Sequence, residues 1–228
     1  MGDRIVFLGT GGDSIVVGKQ YRASGGLILQ IQDNQFHIDP GPGSLVMAKL
    51  YEINLRKNTA VFLSHNHLNH AGGANEVISA MTYNGLDKKG VLIANKSSIQ
   101  GSEDSEPFVH KFYTNCVERY ITLEAGSKVG INQVNIRLMK TKHQDKDAVG
   151  YKFLTSRYTL GYVSDTDYTK EIGLQYKDVD ILILNVVYPR DVEKKGSLNT
   201  EDAIACIPLV TLKIAVISHF GINMLTAA

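Results

Sequence analysis

Apolar residues along this chain fall into short runs separated by glycine, proline and polar clusters, which is the pattern of strands more than of long helices. Residues 5–8 read as a buried strand ended by Gly9-Thr10-Gly11-Gly12, and residues 14–17 read as extended. Residues 26–31 and 36–38 form a predicted hairpin around Asp33-Asn34, and Pro40-Gly41-Pro42-Gly43 is a firm break. Further strands are predicted over 60–63, 91–94, 134–139, 150–154, 159–163, 181–187 and 213–217. Helical spacing appears over 74–81, through Val77, Ile78 and Met81, and over 168–175 and 200–209. Thr200 reads as the cap of the last of these, with Glu201 and Asp202 where a helix dipole favours acids. Between 97 and 124 the signal weakens: a polar, acidic stretch precedes an aromatic one without clear period, a lid or a helical insertion. Strands come first, then strands mixed with helices, which implies sheets covered by helices on their outer faces.

No repeat, low-complexity tract or linker interrupts the 228 residues, so one domain over 1–228 is expected. Lys plus Arg is 24 and Asp plus Glu is 23, a formal charge of +1 that argues against a broad phosphate-binding surface. Cys116 and Cys206 are the only cysteines, too few for a disulfide framework or a four-cysteine zinc site, and a cytoplasmic setting is the default. The longest apolar run, 181–188, contains Asn185 and falls far short of the roughly 18 residues of a membrane-spanning helix. The start of the chain lacks a signal-peptide core, so no membrane partner and no export are expected.

The sharpest chemical feature is Ser64-His65-Asn66-His67-Leu68-Asn69-His70, directly after the strand over 60–63. Three imidazoles close together where a strand ends can converge on one ion or on two adjacent ions, and imidazole suits zinc, iron and related metals. Three further elements follow predicted strands: Thr141-Lys142-His143, Ser164-Asp165-Thr166 and Ser218-His219-Phe220. The chain has no serine-nucleophile elbow and no P-loop, and Gly9-Thr10-Gly11-Gly12 lacks the third glycine of a dinucleotide loop.

The spacing of the histidine cluster, the order of the later His, Asp and His, and the elements Phe7-Leu8-Gly9-Thr10-Gly11-Gly12, Arg22-Ala23-Ser24-Gly25-Gly26 and His37-Ile38-Asp39-Pro40-Gly41 resemble the metallo-β-lactamase fold superfamily. The likeness is to its ribonuclease Z-like and phosphodiesterase-like branch. It implies an α/β (α+β) four-layer αββα sandwich in which His65, His67 and His143 hold one metal, Asn69, His70 and His219 surround a second, and Asp165 bridges the two. Asp39 would steady the ligand loop through hydrogen bonds, or serve only as the turn residue before Pro40. Zinc, as one or two ions, is the implied cofactor, with manganese or iron as alternatives. The implied reaction is hydrolysis of a phosphodiester, either short RNA or a small cyclic phosphate, with Asn69, Asp165 and His219 as the catalytic set. A homodimer is the expected assembly.

Two positions depart from the family pattern. Asn69 stands where the HxHxDH motif has Asp, so two divalent ions would be left with one more positive charge and the second should bind less tightly. The stretch Gly196-Ser197-Leu198-Asn199-Thr200 lacks the histidine that ribonuclease Z-like relatives carry in an HxT-like element, and Ser197 cannot replace it as a general acid. The long basic arm of transfer-RNA processing enzymes is also missing, so that activity is not expected. Hydrolysis of an ester, lactone, thioester or lactam, and a non-catalytic metal-binding role, stand as the alternatives. The last residues, 225–228, read as the opening of a helix that relatives continue.

Overall fold

The computed structural model describes residues 2–192 and 195–227. Met1, Glu193, Lys194 and Ala228 lie outside the described residues, Ala228 being the end of the segment read as an opening helix. The chain forms two compact units, Met1–Thr10 with Gln20–Leu123, and Gly11–Lys19 with Glu124–Ala228.

The first unit holds a six-stranded sheet of Arg4–Gly9 (β1), Ser24–Ile31 (β2), Asn34–Ile38 (β3), Asn58–Leu63 (β4), Val91–Ala94 (β5) and Arg119–Thr122 (β6), in that spatial order. The first two pairings are antiparallel and the other three parallel. β4 is apolar and buried from Ala60 to Leu63, as a strand with parallel neighbours on each side tends to be. Its Val61 and Leu63, with Leu92 and Ala94 of β5, pack against Ala74, Val77, Ile78 and Met81 of the helix Ala74–Thr82, so the predicted periodicity is the buried stripe. Phe62 points the other way and meets Phe36 edge-on at 5.4 Å. The predicted hairpin is present, but its turn lies one residue earlier than Asp33-Asn34. Gln32 and Asp33 both take positive φ, the geometry that matches strand twist, and Asn34 begins β3 by bonding back to Ile31 and Gln32. The uncertain 97–124 stretch supplies the short helices Lys96–Gln100 and Lys111–Thr114 and then β6.

The second unit holds Lys128–Ile131 (β7), Val134–Lys140 (β8), Val149–Leu154 (β9), Thr159–Val163 (β10), Ile181–Tyr188 (β11), Leu198–Asn199 (β12) and Ile214–Ser218 (β13). β7 to β10 form an antiparallel meander. β11 then runs parallel to β10 and is flanked on its far side by β13 and β12, both parallel to it. Gly150 and Gly161 are required by Tyr176, which lies across them: a Cβ on Gly150 would come within 2.2 Å of the phenol oxygen, which donates to Tyr162 O.

Two local expectations are corrected. Residues 14–17 are not extended but open the helix Ser14–Gly18, because Asp13 Oδ1 accepts from Val16 N at 2.8 Å and this cap outweighs the three β-branched residues Ile15, Val16 and Val17. The later helix, Thr200–Cys206, is capped by Asn199 and not Thr200, in a reciprocal box with Asp202. Among the described residues, no helix is long and apolar enough to cross a membrane.

His37 gives the fold a pH dependence of its own. It sits fully buried in β3 with Nε2 donating to Gly25 O at 2.8 Å, and Nδ1 meets no hydrogen-bond partner among the described residues. Burial lowers its pKa to about 4, against the smaller opposing effects of the Gly25 carbonyl and Asp39. The unfolded chain therefore takes up a proton near pH 6.5 that the folded chain refuses until about pH 4. Stability from His37 is complete above pH 6.5 and is lost as pH falls towards 4, by about 2 kcal/mol at pH 5. Urea midpoints at pH 7.5 and pH 5 should converge in His37→Gln relative to the parent protein.

Candidate metal centre

The first unit assembles a donor array at the end of β4. The chain leaves the strand at Leu63, and the tight helix Leu68–Ala71 starts from the carbonyl of His67, which accepts from His70 N and Ala71 N. This folding back gathers the imidazoles: the rings of His65 and His70 lie 3.9 Å apart and those of His65 and His67 lie 4.7 Å apart. His65 and His70 are buried and His67 is half-buried. Asn69 is half-buried on the same turn, its carbonyl so near Gly41 that a Cβ there would fall within 2.3 Å.

Asp39 organises the array. Its Oδ1 accepts from Ser64 N at 2.7 Å, and its Oδ2 accepts from Ser64 Oγ at 2.6 Å and from His70 Nδ1 at 2.9 Å. A carboxylate only accepts, so the His70 proton is on Nδ1 and the lone pair is on Nε2. The single hydroxyl proton of Ser64 is committed to Asp39. Ser64 Oγ, 3.0 Å from His65 Nδ1, must then accept from it, and His65 also carries its lone pair on Nε2. One buried carboxylate thereby sets the tautomers of two histidines, the arrangement that supports metal-ligating imidazoles. Of the two roles expected for Asp39, the hydrogen-bonding one is what the structure shows.

The second unit presents its own donors at the ends of β8, β10 and β13. His143 Nδ1 donates to Gly196 O at 2.6 Å, again leaving the lone pair on Nε2. Gly196 N in turn donates to Asp167, whose other oxygen is 3.2 Å from Lys142 Nζ. Desolvation works against ionisation of Asp167, but the Gly196 amide and Lys142 outweigh it and hold the carboxyl below its ordinary range. Asp165 and His219 come together, with Asp165 Oδ1 lying 3.5 Å from His219 Nε2. His219 takes φ of 69°, and the N-terminal glycines of this unit explain how it is held. Gly12 N donates to Phe220 O, and a Cβ on Gly12 would lie 2.0 Å from His219 O. Asp13 Oδ2 accepts from Ile222 N on the far side of the same loop. The Gly-rich start thus makes room for the backbone of a candidate ligand.

Sequence reading missed one participant. Asn185, buried in β11, donates from Nδ2 to Asp165 Oδ1 at 2.8 Å and towards Tyr162 Oη at 3.3 Å. Its signal was visible as the lone polar residue in the longest apolar run. Ser197 is half-buried, next to the carbonyl that His143 engages.

The description of one protein family, "Beta-lactamase superfamily domain", matches residues 34–220. An uncharacterized protein of Methanocaldococcus jannaschii is 30% identical over 222 residues, covering 96% of this chain and 84% of that protein. Among solved structures, the metallo-β-lactamase fold protein YhfI from Bacillus subtilis superposes with a TM-score of 0.78 at 17% identity, over 97% of this chain and 89% of its own. The short form of human tRNase Z superposes with a TM-score of 0.73 at 14% identity, over 96% and 93%. The fold class expected from the sequence, mixed α/β with two sheets, is the one these structures share.

Proposed function

The chain belongs to the β-lactamase superfamily, and from that premise we propose that it is a metal-dependent hydrolase acting on a phosphodiester, RNA or a small cyclic phosphate. The observation that carries this reading is the tautomer pattern: His65, His70 and His143 each commit Nδ1 to a neighbour and keep the lone pair on Nε2. Imidazole nitrogens and a carboxylate are the donor set of zinc, and manganese or iron would also be accepted. His65, His67 and His143 would hold one ion, and Asn69, His70 and His219 a second, with Asp165 serving both. Such ions supply Lewis-acid polarisation of the scissile group and acidify water towards a pKa of about 7.

The protein's own residues do the rest. Asn185 holds Asp165 so that its carboxylate keeps a fixed orientation towards His219. His219, its Nε2 3.5 Å from Asp165 Oδ1, would present that nitrogen to the second ion, and Asn69 would contribute a neutral amide where the family motif has an acid. The human structural neighbour is a tRNase, which supports a phosphodiester over a lactam or lactone. A non-catalytic metal-binding role is the second reading, favoured by Asn69 and by the absence of a histidine at Ser197. Both buried free thiols, Cys116 and Cys206, fit a cytoplasmic setting.

A chromogenic bis-aryl phosphodiester, a lactone and a lactam, each offered with zinc, manganese or ferrous iron, separate these readings. Turnover of the phosphodiester that a chelator abolishes and metal restores is the expected result. Faster turnover of the lactone or lactam overturns the substrate class, and metal uptake without any turnover establishes the non-catalytic role.

A further inference from the structure

The second sheet carries a row of cations that the proposed chemistry does not use. In the strand register Lys128 of β7 lies opposite Arg137 of β8, and Arg137 lies opposite Lys152 of β9. Directly opposed residues share a face, so three positive side chains stand side by side across three neighbouring strands. Adjacent strands are about 4.8 Å apart, which makes the row roughly 10 Å long. Like charges placed directly opposite one another are unfavourable, and among the described residues no acidic group forms an ion pair with any of the three. Lys128 and Arg137 are exposed, whereas Lys152 is 8% exposed. Burial is the main cause that lowers the Lys152 pKa; the charge of Asp178 opposes it and Arg137 adds a smaller lowering.

The surroundings say what kind of partner fits. The alternate positions, Val129, Ile136 and Tyr151, belong to the opposite face; the cations' own face also carries Met139, Gly150 and Leu154, with Tyr176 lying across Gly150 next to Lys152. Beside Lys128 and Arg137 on that face stand Gly130 and Asn135, both exposed, and a side chain at Gly130 would meet only Asn135 Oδ1, at 3.7 Å. A lipid surface would need protruding apolar anchors among the cations; Gly130 and Asn135 supply none, and Met139 and Leu154 are half-buried. A linear array of charges whose first two members, Lys128 and Arg137, are exposed matches a linear polyanion.

We infer that the Lys128–Arg137–Lys152 row is a docking shelf for the phosphate backbone of a single RNA strand. It holds substrate by charge, without reading sequence. As a substrate-holding surface it rests on the phosphodiester reading above, although binding itself does not require turnover. The near-zero net charge of the chain is compatible with it, because the shelf concentrates cations that the rest of the surface balances.

The test is fluorescence anisotropy of the full chain with a labelled 15-nucleotide 2′-O-methyl oligouridylate, over a salt series. The parent protein should bind, and Lys128→Glu/Arg137→Glu should bind at least ten-fold more weakly. Its log–log salt slope should be shallower by about 1.4, or about 0.7 for each cation lost from a single-strand contact. Lys152→Met should lose about half as much slope. Thermal midpoints confirm that the variants are folded, and hydrolysis of the small chromogenic phosphodiester should be unchanged. Equal affinity and slope in the double variant overturn the shelf, as does parental binding to phosphatidylserine vesicles in place of the oligonucleotide. If the small phosphodiester is turned over while RNA binding ignores these substitutions, the shelf fails and the hydrolase reading stands. If RNA binding falls as stated while no phosphodiester is hydrolysed, the shelf stands and the hydrolase reading fails.

Discussion

Asp39→Ala is expected to dismantle the first donor array and to lower the thermal midpoint by about 6–12 °C, from a loss of about 3 kcal/mol. Asp39 is 3% exposed and accepts from Ser64 N, Ser64 Oγ and His70 Nδ1, so truncation strands three donors in a buried site. Each such donor costs about 1–3 kcal/mol when left without an acceptor, and partial relaxation brings the sum towards the lower end. The φ of 50° adds a second penalty, because Asp tolerates the left-handed region better than Ala. Metal affinity should fall by about 10–100-fold as His65 and His70 lose their fixed tautomers. Asp39→Asn keeps the shape but turns an amide NH₂ towards one of the three donors, and should fall between the parent and Asp39→Ala. Calorimetric melting with and without zinc checks both parts. An Asp39→Ala protein that melts and binds metal like the parent removes Asp39 from its organising role.

Asn69→Asp should act in the opposite direction. It restores an anionic donor on the turn that carries His67 and His70, and should raise the affinity of the more weakly held ion at least ten-fold. Two unit charges about 4 Å apart at an effective dielectric of 20 attract by about 4 kcal/mol. Desolvation of the new carboxylate consumes part of that, and a ten-fold gain needs only about 1.4 kcal/mol. Competition titration against a zinc-sensitive dye measures the change. Turnover of the phosphodiester should rise with it. Unchanged second-ion affinity in Asn69→Asp would mean that position 69 does not face the metal.

The candidate ligands were legible because each stands at the end of a strand whose apolar run is unmistakable. β4, β8, β10 and β13 were all anticipated, and His65, His143, Asp165 and His219 follow them within a few residues. What escaped was set by single hydrogen bonds or by very short pairings. The helix Ser14–Gly18 depends on one carboxylate cap that overrides an extended-looking Ile-Val-Val. β12 is two residues long, and β7 is interrupted by Gly130, so neither shows a strand period. The helix Ser44–Leu50 leaves Val46 and Leu50 exposed, and its apolar residues therefore trace no clean stripe. Asn185 was noticed only as an interruption, since its role depends on Asp165, which lies twenty residues away in sequence and on the neighbouring strand's end. Tautomers lie beyond sequence altogether: they follow from which oxygen each Nδ1 meets, and Asp39 meets its histidines only through folding.

Metal content of the purified wild-type chain after exhaustive dialysis, measured by plasma mass spectrometry alongside native mass, bears most directly on the proposed centre. One ion per chain should be retained, with a second appearing only in the presence of free metal. A folded chain that retains no ion, or one that retains two through dialysis despite Asn69, would contradict it.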